Sequence, residues 1–470
     1  MLRSKPITKK PFMFIPIETK VREFLAKTLL GCICAEKGFA VVIGKQDRLR
    51  NALVHLPKGI YLDKGVAPEK EAFFRKCLAM DHRISAFCEE GLVLRNPDSY
   101  IREMTSAEAF EFMDLFFAWG KKQKSLITSH YPQVDNKIIL SGNPRMDLLR
   151  PQLRPLFARE VADIRKEYGP FLLINTNFNR YNHFRNRDFL HDVWKQRGKI
   201  TTDEDENFFY RLSDHVGKIY QAFYDVIPRL SATFPEWTIV VRPHPSENHQ
   251  VWKDLAVSLP NVKVVHKGNV IPWILASVAV MHNSCTTGLE AFLCGRPVVS
   301  YRPVVDETLE SPLPNEVSMQ VFTVDELLEL LIRVRDHKEL TLEQSNSAKM
   351  ALVRDYVSGL DGELAADRIA TSLKALAGRE KTKGLRWMDT FMQRSLRPRT
   401  KQIKKYLRTL VLGVSDDDKL RELYKKQKFP DITLEELETT VKQFRTLTSR
   451  FSTVKVKTIK RMEKCFLLYQ

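Results

Sequence analysis

Two successive stretches of this chain, residues 11–150 and 171–301, alternate short apolar runs with segments whose apolar residues recur at helical spacing. That alternation constrains the fold more than any other feature. A short run that is apolar on both faces suits a buried parallel strand, and parallel strands need a crossover, usually a helix. In the first stretch strands are expected at 12–16, 40–44, 60–62 and 84–87, with helices at 21–37, 46–55 and 68–80; segments 115–119, 121–129 and 137–141 continue the pattern. In the second, strands are expected at 171–175 (FLLIN), 237–242 (WTIVVR), 262–265, 278–281 and 298–301. Helices are expected at 208–234, 271–276, 286–294, 324–336, 342–357 and 362–376. The Arg- and Pro-rich stretch 149–159 marks the crossing between the two halves. The expected fold is α/β: two doubly wound, Rossmann-like domains, 1–150 and 151–378, facing a cleft. Residues 379–470 break the pattern and read as a basic, mostly helical tail.

Charge is distributed unevenly. Residues 379–470 hold 24 Lys and Arg against 11 Asp and Glu, whereas the first 378 hold 51 against 46. A tail of this kind suits an anionic membrane surface or an acidic polymer; a solvated helical face is the plainer reading. It shows no nucleic-acid recognition motif, so no nucleic acid is expected as partner. No apolar run approaches the roughly 18 residues of a membrane span, and the apolar part of the N-terminus is too short for a signal peptide. Seven cysteines without a CxxC pair indicate neither a zinc site nor a disulfide framework. The expectation is a cytoplasmic protein, peripheral on the inner face of the membrane.

Three motifs fall at expected strand ends, where doubly wound sheets bind ligands. Glu89-Glu90-Gly91 follows the strand 84–87, and either carboxylate there suits a general base; a solvated acidic loop is the alternative. Arg242-Pro243-His244-Pro245 closes WTIVVR, placing an imidazole beside an arginine that suits phosphate; a histidine packed in a turn is the alternative. His282-Asn283-Ser284-Cys285-Thr286-Thr287-Gly288-Leu289-Glu290 opens a helix with three hydroxyls. With the free N–H groups of a helix N-terminus, Ser284, Thr286 and Thr287 would form an anion site, and Glu290 would reach ribose; an ordinary N-cap is the alternative. His282 is open between a second phosphate donor and a core histidine. Asn175, Asn177, Gly142 and Asn143 are further cleft candidates, with Trp119-Gly120.

Taken together and in this order, the acidic-acidic-Gly, His-Pro and Ser/Thr-rich motifs resemble those of bacterial sialyltransferases and of the Kdo transferases of capsule and lipopolysaccharide synthesis. Residues 10–375 also look like a group described as surface carbohydrate biosynthesis proteins, through DLFFAWGKKQK (114–124), SGNPRMDLLRP (141–151), FLLINTNF (171–178) and HNSCTTGLEA (282–291). The resemblance implies a GT-B fold and a metal-independent glycosyltransferase without a cofactor. Its donor would be a nucleotide sugar, a CMP-activated keto acid such as Kdo or a sialic-type sugar, and its acceptor a glycan or lipid-linked glycan. It implies Glu89 or Glu90 as base, His244 as acid or phosphate donor, and Arg242, His282, Ser284, Thr286, Thr287 and Glu290 around the donor nucleotide. Capsule-type retaining Kdo transferases resemble this chain less at Asn175-Thr176-Asn177, which holds no carboxylate; direct inversion is favoured. The alternatives are a CDP-glycerol or CDP-ribitol polyol-phosphate transferase, which also carries a His-Pro motif, and a sugar-nucleotide 2-epimerase.

Overall fold

The computed structural model describes residues 10–92, 96–336, 343–379 and 429–470. The first six apolar runs form parallel strands β1 (Phe12–Ile17), β2 (Ala40–Lys45), β3 (Gly59–Asp63), β4 (Arg83–Phe87), β5 (Leu115–Ala118) and β6 (Ile138–Leu140). They lie in the order β2-β1-β3-β4-β5-β6, so the winding reverses beside β1. All six residues of β1 are buried, as expected of a strand covered on both faces. The second sheet is built from β7 (Phe171–Asn175), β8 (Thr238–Arg242), β9 (Val262–Val264), β10 (Ala279–His282), β11 (Val298–Tyr301) and β12 (Met319–Val321). Its order, β12-β11-β10-β7-β8-β9, is again parallel and doubly wound, with the reversal between β7 and β10. The two expected α/β domains are therefore present.

The helix Lys20–Glu36 is apolar almost all round because it is covered on every side. It packs on the first sheet, on helix Ala365–Ala377 and on helix Leu434–Thr448. Residues 343–377, assigned from sequence to the second domain, thus return to the first. The Asp147 carboxylate accepts from the N–H groups of Ala365 and Ala366, both at 2.9 Å, and Ser358 N donates to Trp119 O. Gly142 has φ +80°, and a Cβ there would collide with the carbonyl of Ser358; this glycine serves the return crossing.

The expected mostly helical tail needs correction over its described part. Helix Leu434–Thr448 starts at Thr433, whose hydroxyl accepts from Glu436 N. After it, β13 (Lys455–Thr458) and β14 (Cys465–Tyr469) form an antiparallel hairpin, and β14 pairs with β2 at the edge of the first sheet. CFLLY is an apolar run without helical length or period, which is why it becomes a strand. Residues 380–428 lie outside the described residues, and most of the expected amphipathic helices fall there. Short helices such as Pro97–Met104, Ala107–Phe112, Arg187–Gln196 and His249–Ala256 go beyond the expected set. Each is opened by an Asn or Ser side chain accepting from the first turn. Among the described residues no helix is long and apolar enough to cross a membrane.

Candidate functional site

The second domain contributes the ends of β7, β8 and β10. In register, Asn175 stands between Arg242 and His282. Asn175 is 4 % exposed, and its Nδ2 has no hydrogen-bond partner; Asn177, two residues on, is half-buried. His282 is fully buried. Its Nε2 lies 2.8 Å from Ser318 Oγ, which itself donates to Pro314 O, so Nε2 carries the proton; Nδ1 faces Cys285 N at 3.4 Å. A Cβ on Gly288 would strike the ring, so His282 lies beneath the helix Thr286–Leu293 as a core histidine. Ser284 sits in the turn above with φ +41°, a conformation rare outside glycine, held by Asn315 Nδ2 donating to its hydroxyl at 3.0 Å. Thr286 and Thr287 form the first turn. Thr287 Oγ1 is buried without an oxygen or nitrogen partner, beside the Cys285 thiol.

Glu247, absent from the expected site, organises the His-Pro loop. Its Oε1 accepts from Thr176 Oγ1 (2.7 Å), Phe178 N (2.9 Å) and His244 N (3.1 Å), and its Oε2 from Trp252 Nε1 (3.1 Å). One buried carboxylate thus ties the end of β7 to the end of β8. His244 Nδ1 accepts from Ser246 N at 3.2 Å and lies 3.3 Å from Asn179 Nδ2. With Nδ1 accepting, the neutral ring carries its proton on Nε2. Burial, then neighbouring His266 and Arg22, pull the His244 pKa down to about 3. In the free protein the group is thus a neutral N–H donor, not a charged acid. Arg242 is placed otherwise than expected. Its guanidinium donates to the carbonyls of Lys267 (2.9 Å) and Gly268 (2.6 Å) and lies against Trp273, holding that loop.

The first domain contributes a buried charge cluster. Lys27 Nζ donates to Pro16 O (2.7 Å) and Glu23 Oε2 (2.8 Å) and lies 3.5 Å from Glu89 Oε1. Glu23 also accepts from the N–H groups of Glu18 and Thr19, both at 3.0 Å. Glu89 is 5 % exposed, and its Oε2 has no hydrogen-bond partner. Its neighbour Glu90 is different, with a side chain 63 % exposed that lies 3.6 Å from Arg22 Nη2. The sequence pair Glu89-Glu90 therefore resolves into one buried and one solvated carboxylate.

Arg145 closes the cleft from the first domain to the second. Asn143 caps the short helix Pro144–Asp147 through Oδ1, while its own Nδ2 is buried and unpartnered. Arg145 Nη2 then reaches Glu290 Oε1 at 2.8 Å, and Nη1 lies 3.4 Å from Glu89 O, with the guanidinium 6.0 Å from the Trp119 ring centroid. Burial pushes the Glu290 carboxyl up, opposed by Arg145 and Arg22. Arg22, Lys27, Arg145 and Glu247 were not expected from sequence. The available signal was a Glu and a Lys four residues apart within an otherwise apolar helix, REFLAK, which implies a buried pair.

His282 gives a pH test. Burial lowers its pKa to about 3, against about 6.5 when unfolded. Below pH 6.5 the unfolded chain takes up a proton that the folded chain does not, so this contribution is complete above pH 6.5 and is lost on acidification. Relative to a His282→Asn variant, the wild type should lose about 2 kcal/mol between pH 7 and pH 5. Urea unfolding of both proteins at the two pH values checks it.

No protein-family model matches this chain, and no curated protein matches it in sequence. Solved structures resemble it at low identity. The UDP-GlcNAc 2-epimerase from Neisseria meningitidis bound to UDP-GlcNAc is 14 % identical, with a TM-score of 0.47 over 78 % of this chain and 100 % of that one. The UDP-GlcNAc 2-epimerase from Methanocaldococcus jannaschii is 11 % identical, with a TM-score of 0.44 over 78 % and 99 %. The wall teichoic acid polymerase TagF is 10 % identical, with a TM-score of 0.49 over 78 % and 89 %.

Proposed function

We propose that this protein is a glycosyltransferase that takes its sugar from a nucleotide-activated donor held in the cleft between the two sheets. One observation carries the reading. Among the buried side-chain atoms without conventional partners, Glu89 Oε2, Asn143 Nδ2, Asn175 Nδ2 and Thr287 Oγ1 lie at or after the C-terminal ends of strands, two in each domain. A buried unsatisfied polar group costs about 1–3 kcal/mol, so such a set is retained where a polar ligand completes it.

The roles follow from the surroundings. Glu89 is the general base for the acceptor hydroxyl, since its Oε2 is uncommitted whereas Glu90 faces solvent. His244 donates through Nε2 to a departing phosphate oxygen. Ser284, Thr286 and Thr287 hold phosphate at the helix start. Glu290 accepts from ribose once Arg145 releases it. The donor is a CMP-activated keto acid such as Kdo or a sialic-type sugar, and the acceptor a surface-polysaccharide or lipopolysaccharide precursor. The transfer is assigned no metal or cofactor; hydroxyls and N–H groups at the helix start receive the phosphate charge.

Attachment to an anionic membrane rests on residues 379–428. Of the described tail, residues 429–470 carry only eight Lys and Arg against five Asp and Glu. Several of those cations are engaged internally: Arg450 with Glu36 and Asp367, Arg445 with the carbonyls of Phe451 and Val454, and Lys464 with Asp431.

The test is turnover on CMP-Kdo, CMP-sialic acid, CDP-glycerol and UDP-GlcNAc, with and without acceptor glycan. CMP release from the first two, lowered about 100-fold or more by His244→Ala, supports the proposal. Turnover of CDP-glycerol would assign polyol-phosphate transfer, and acceptor-free conversion of UDP-GlcNAc would assign epimerisation. No turnover of any donor would sink the enzymatic reading.

A further inference from the structure

Among the described residues of this site, Arg22 is a cation that lies near carboxylates without a hydrogen bond to any of them. It lies in the first turn of helix Lys20–Glu36, directly after β1, where the first sheet reverses its winding. Its Nε is buried without a hydrogen-bond partner. Its Nη2 has carboxylates at 3.6 Å (Glu90) and 4.0 Å (Glu23), both beyond hydrogen-bond length. Other arginines around the cleft are committed: Arg242 to two carbonyls, Arg145 to Glu290. Arg22 nonetheless lies at the cleft: it is 3.6 Å from Glu90, and the carbonyl of the adjacent Glu89 is 3.4 Å from Arg145, which spans to Glu290; its charge acts on His244 and Glu290. A guanidinium presents five N–H donors in a planar fork matched to phosphate. Here that fork is held near acids without being hydrogen-bonded by them, beside a half-site whose described arginines Arg242 and Arg145 are already engaged.

We propose that Arg22 binds the phosphate of the nucleotide donor, reaching from the first domain to complete the phosphate site of the second. It rests on the nucleotide-donor reading above. In the free protein Glu90, with the charges of Glu89 and Glu23 also acting on it, holds the guanidinium loosely. When phosphate arrives, the anion replaces Glu90 as the partner of Arg22, and Glu90 turns to solvent, to which it is already exposed. Glu90 thereby acts as a competitor of the ligand and not as a catalytic group.

The experiment is calorimetric titration of wild type, Arg22→Gln, Glu90→Gln and the double variant with CMP, cytidine and inorganic pyrophosphate. Arg22→Gln should weaken CMP binding about tenfold or more and leave cytidine unchanged. Glu90→Gln should tighten CMP several-fold, and that gain should vanish in the Arg22→Gln background, because the two residues act through one another. Equal CMP affinity in wild type and Arg22→Gln, or a Glu90→Gln gain that persists without Arg22, overturns the proposal while leaving the nucleotide site standing. Pyrophosphate binding that is lost in Arg22→Gln, with no nucleotide bound by wild type, keeps Arg22 as an anion ligand and rejects the nucleotide reading. Wild type binding none of the three rejects both. Should Arg22→Gln fold poorly, the tightening by Glu90→Gln alone decides: its absence counts against the competition.

Discussion

Glu89→Gln is expected to lower the turnover number by about 10²- to 10⁴-fold, the range supplied by a positioned general base, while CMP affinity stays within about twofold. The amide keeps the shape of the carboxylate and removes its basicity. The fold should survive, because Lys27 retains Glu23 and the carbonyl of Pro16 as partners. Steady-state kinetics with parallel titration of CMP separate the two quantities. Glu90→Gln, at the solvated neighbour, should leave turnover at saturating donor near the wild-type value. An equal collapse in both variants, or in neither, would contradict the choice of Glu89.

The second large effect is on stability. Lys27→Met removes the single ammonium lying between two buried carboxylates, Glu23 and Glu89. Breaking a buried ion pair by deleting one partner costs about 3–5 kcal/mol; Arg22, 4.0 Å from Glu23, offsets part of the remaining charge, which puts the loss near the lower end. Urea denaturation should show that loss. The double variant Glu23→Gln with Lys27→Met should recover part of it, since fewer buried carboxylates are then unpaired. A change below about 1 kcal/mol for Lys27→Met alone would mean that water already screens the cluster.

The contrast between Glu89 and Glu90 shows where sequence reading runs out. Their position at the end of β4 is legible, because the apolar run 84–87 ends there and a glycine follows. Which of the two is buried is not, because that depends on Lys27, which arrives from a helix sixty residues earlier. The doubly wound sheets were legible for the same local reason: strands buried on both faces, such as β1, β7 and β10, are continuous apolar runs, whereas the short, partly exposed β12 (MQV) was not expected. The hairpin of β13 and β14 was not, because β13 is the alternating, partly exposed KVKT, and the place of β14 beside β2 is a long-range pairing that no local period encodes. Arg242 shows the converse. Its residue type and strand-end position suit phosphate, but the carbonyls of Lys267 and Gly268, reached only through the fold, take up its donors. His282 was open between two roles in sequence, and the collision a Gly288 Cβ would make with its ring assigns it to the core.

The most direct measurement on the central claim is the change in melting temperature of the purified protein with CMP, CDP, UMP, UDP and GDP at equal concentration, since a ligand that binds only the folded state adds a stability that grows with the logarithm of one plus its concentration over Kd. The account predicts a selective rise with CMP that shrinks in Ser284→Ala; a flat response to all five nucleotides would contradict it.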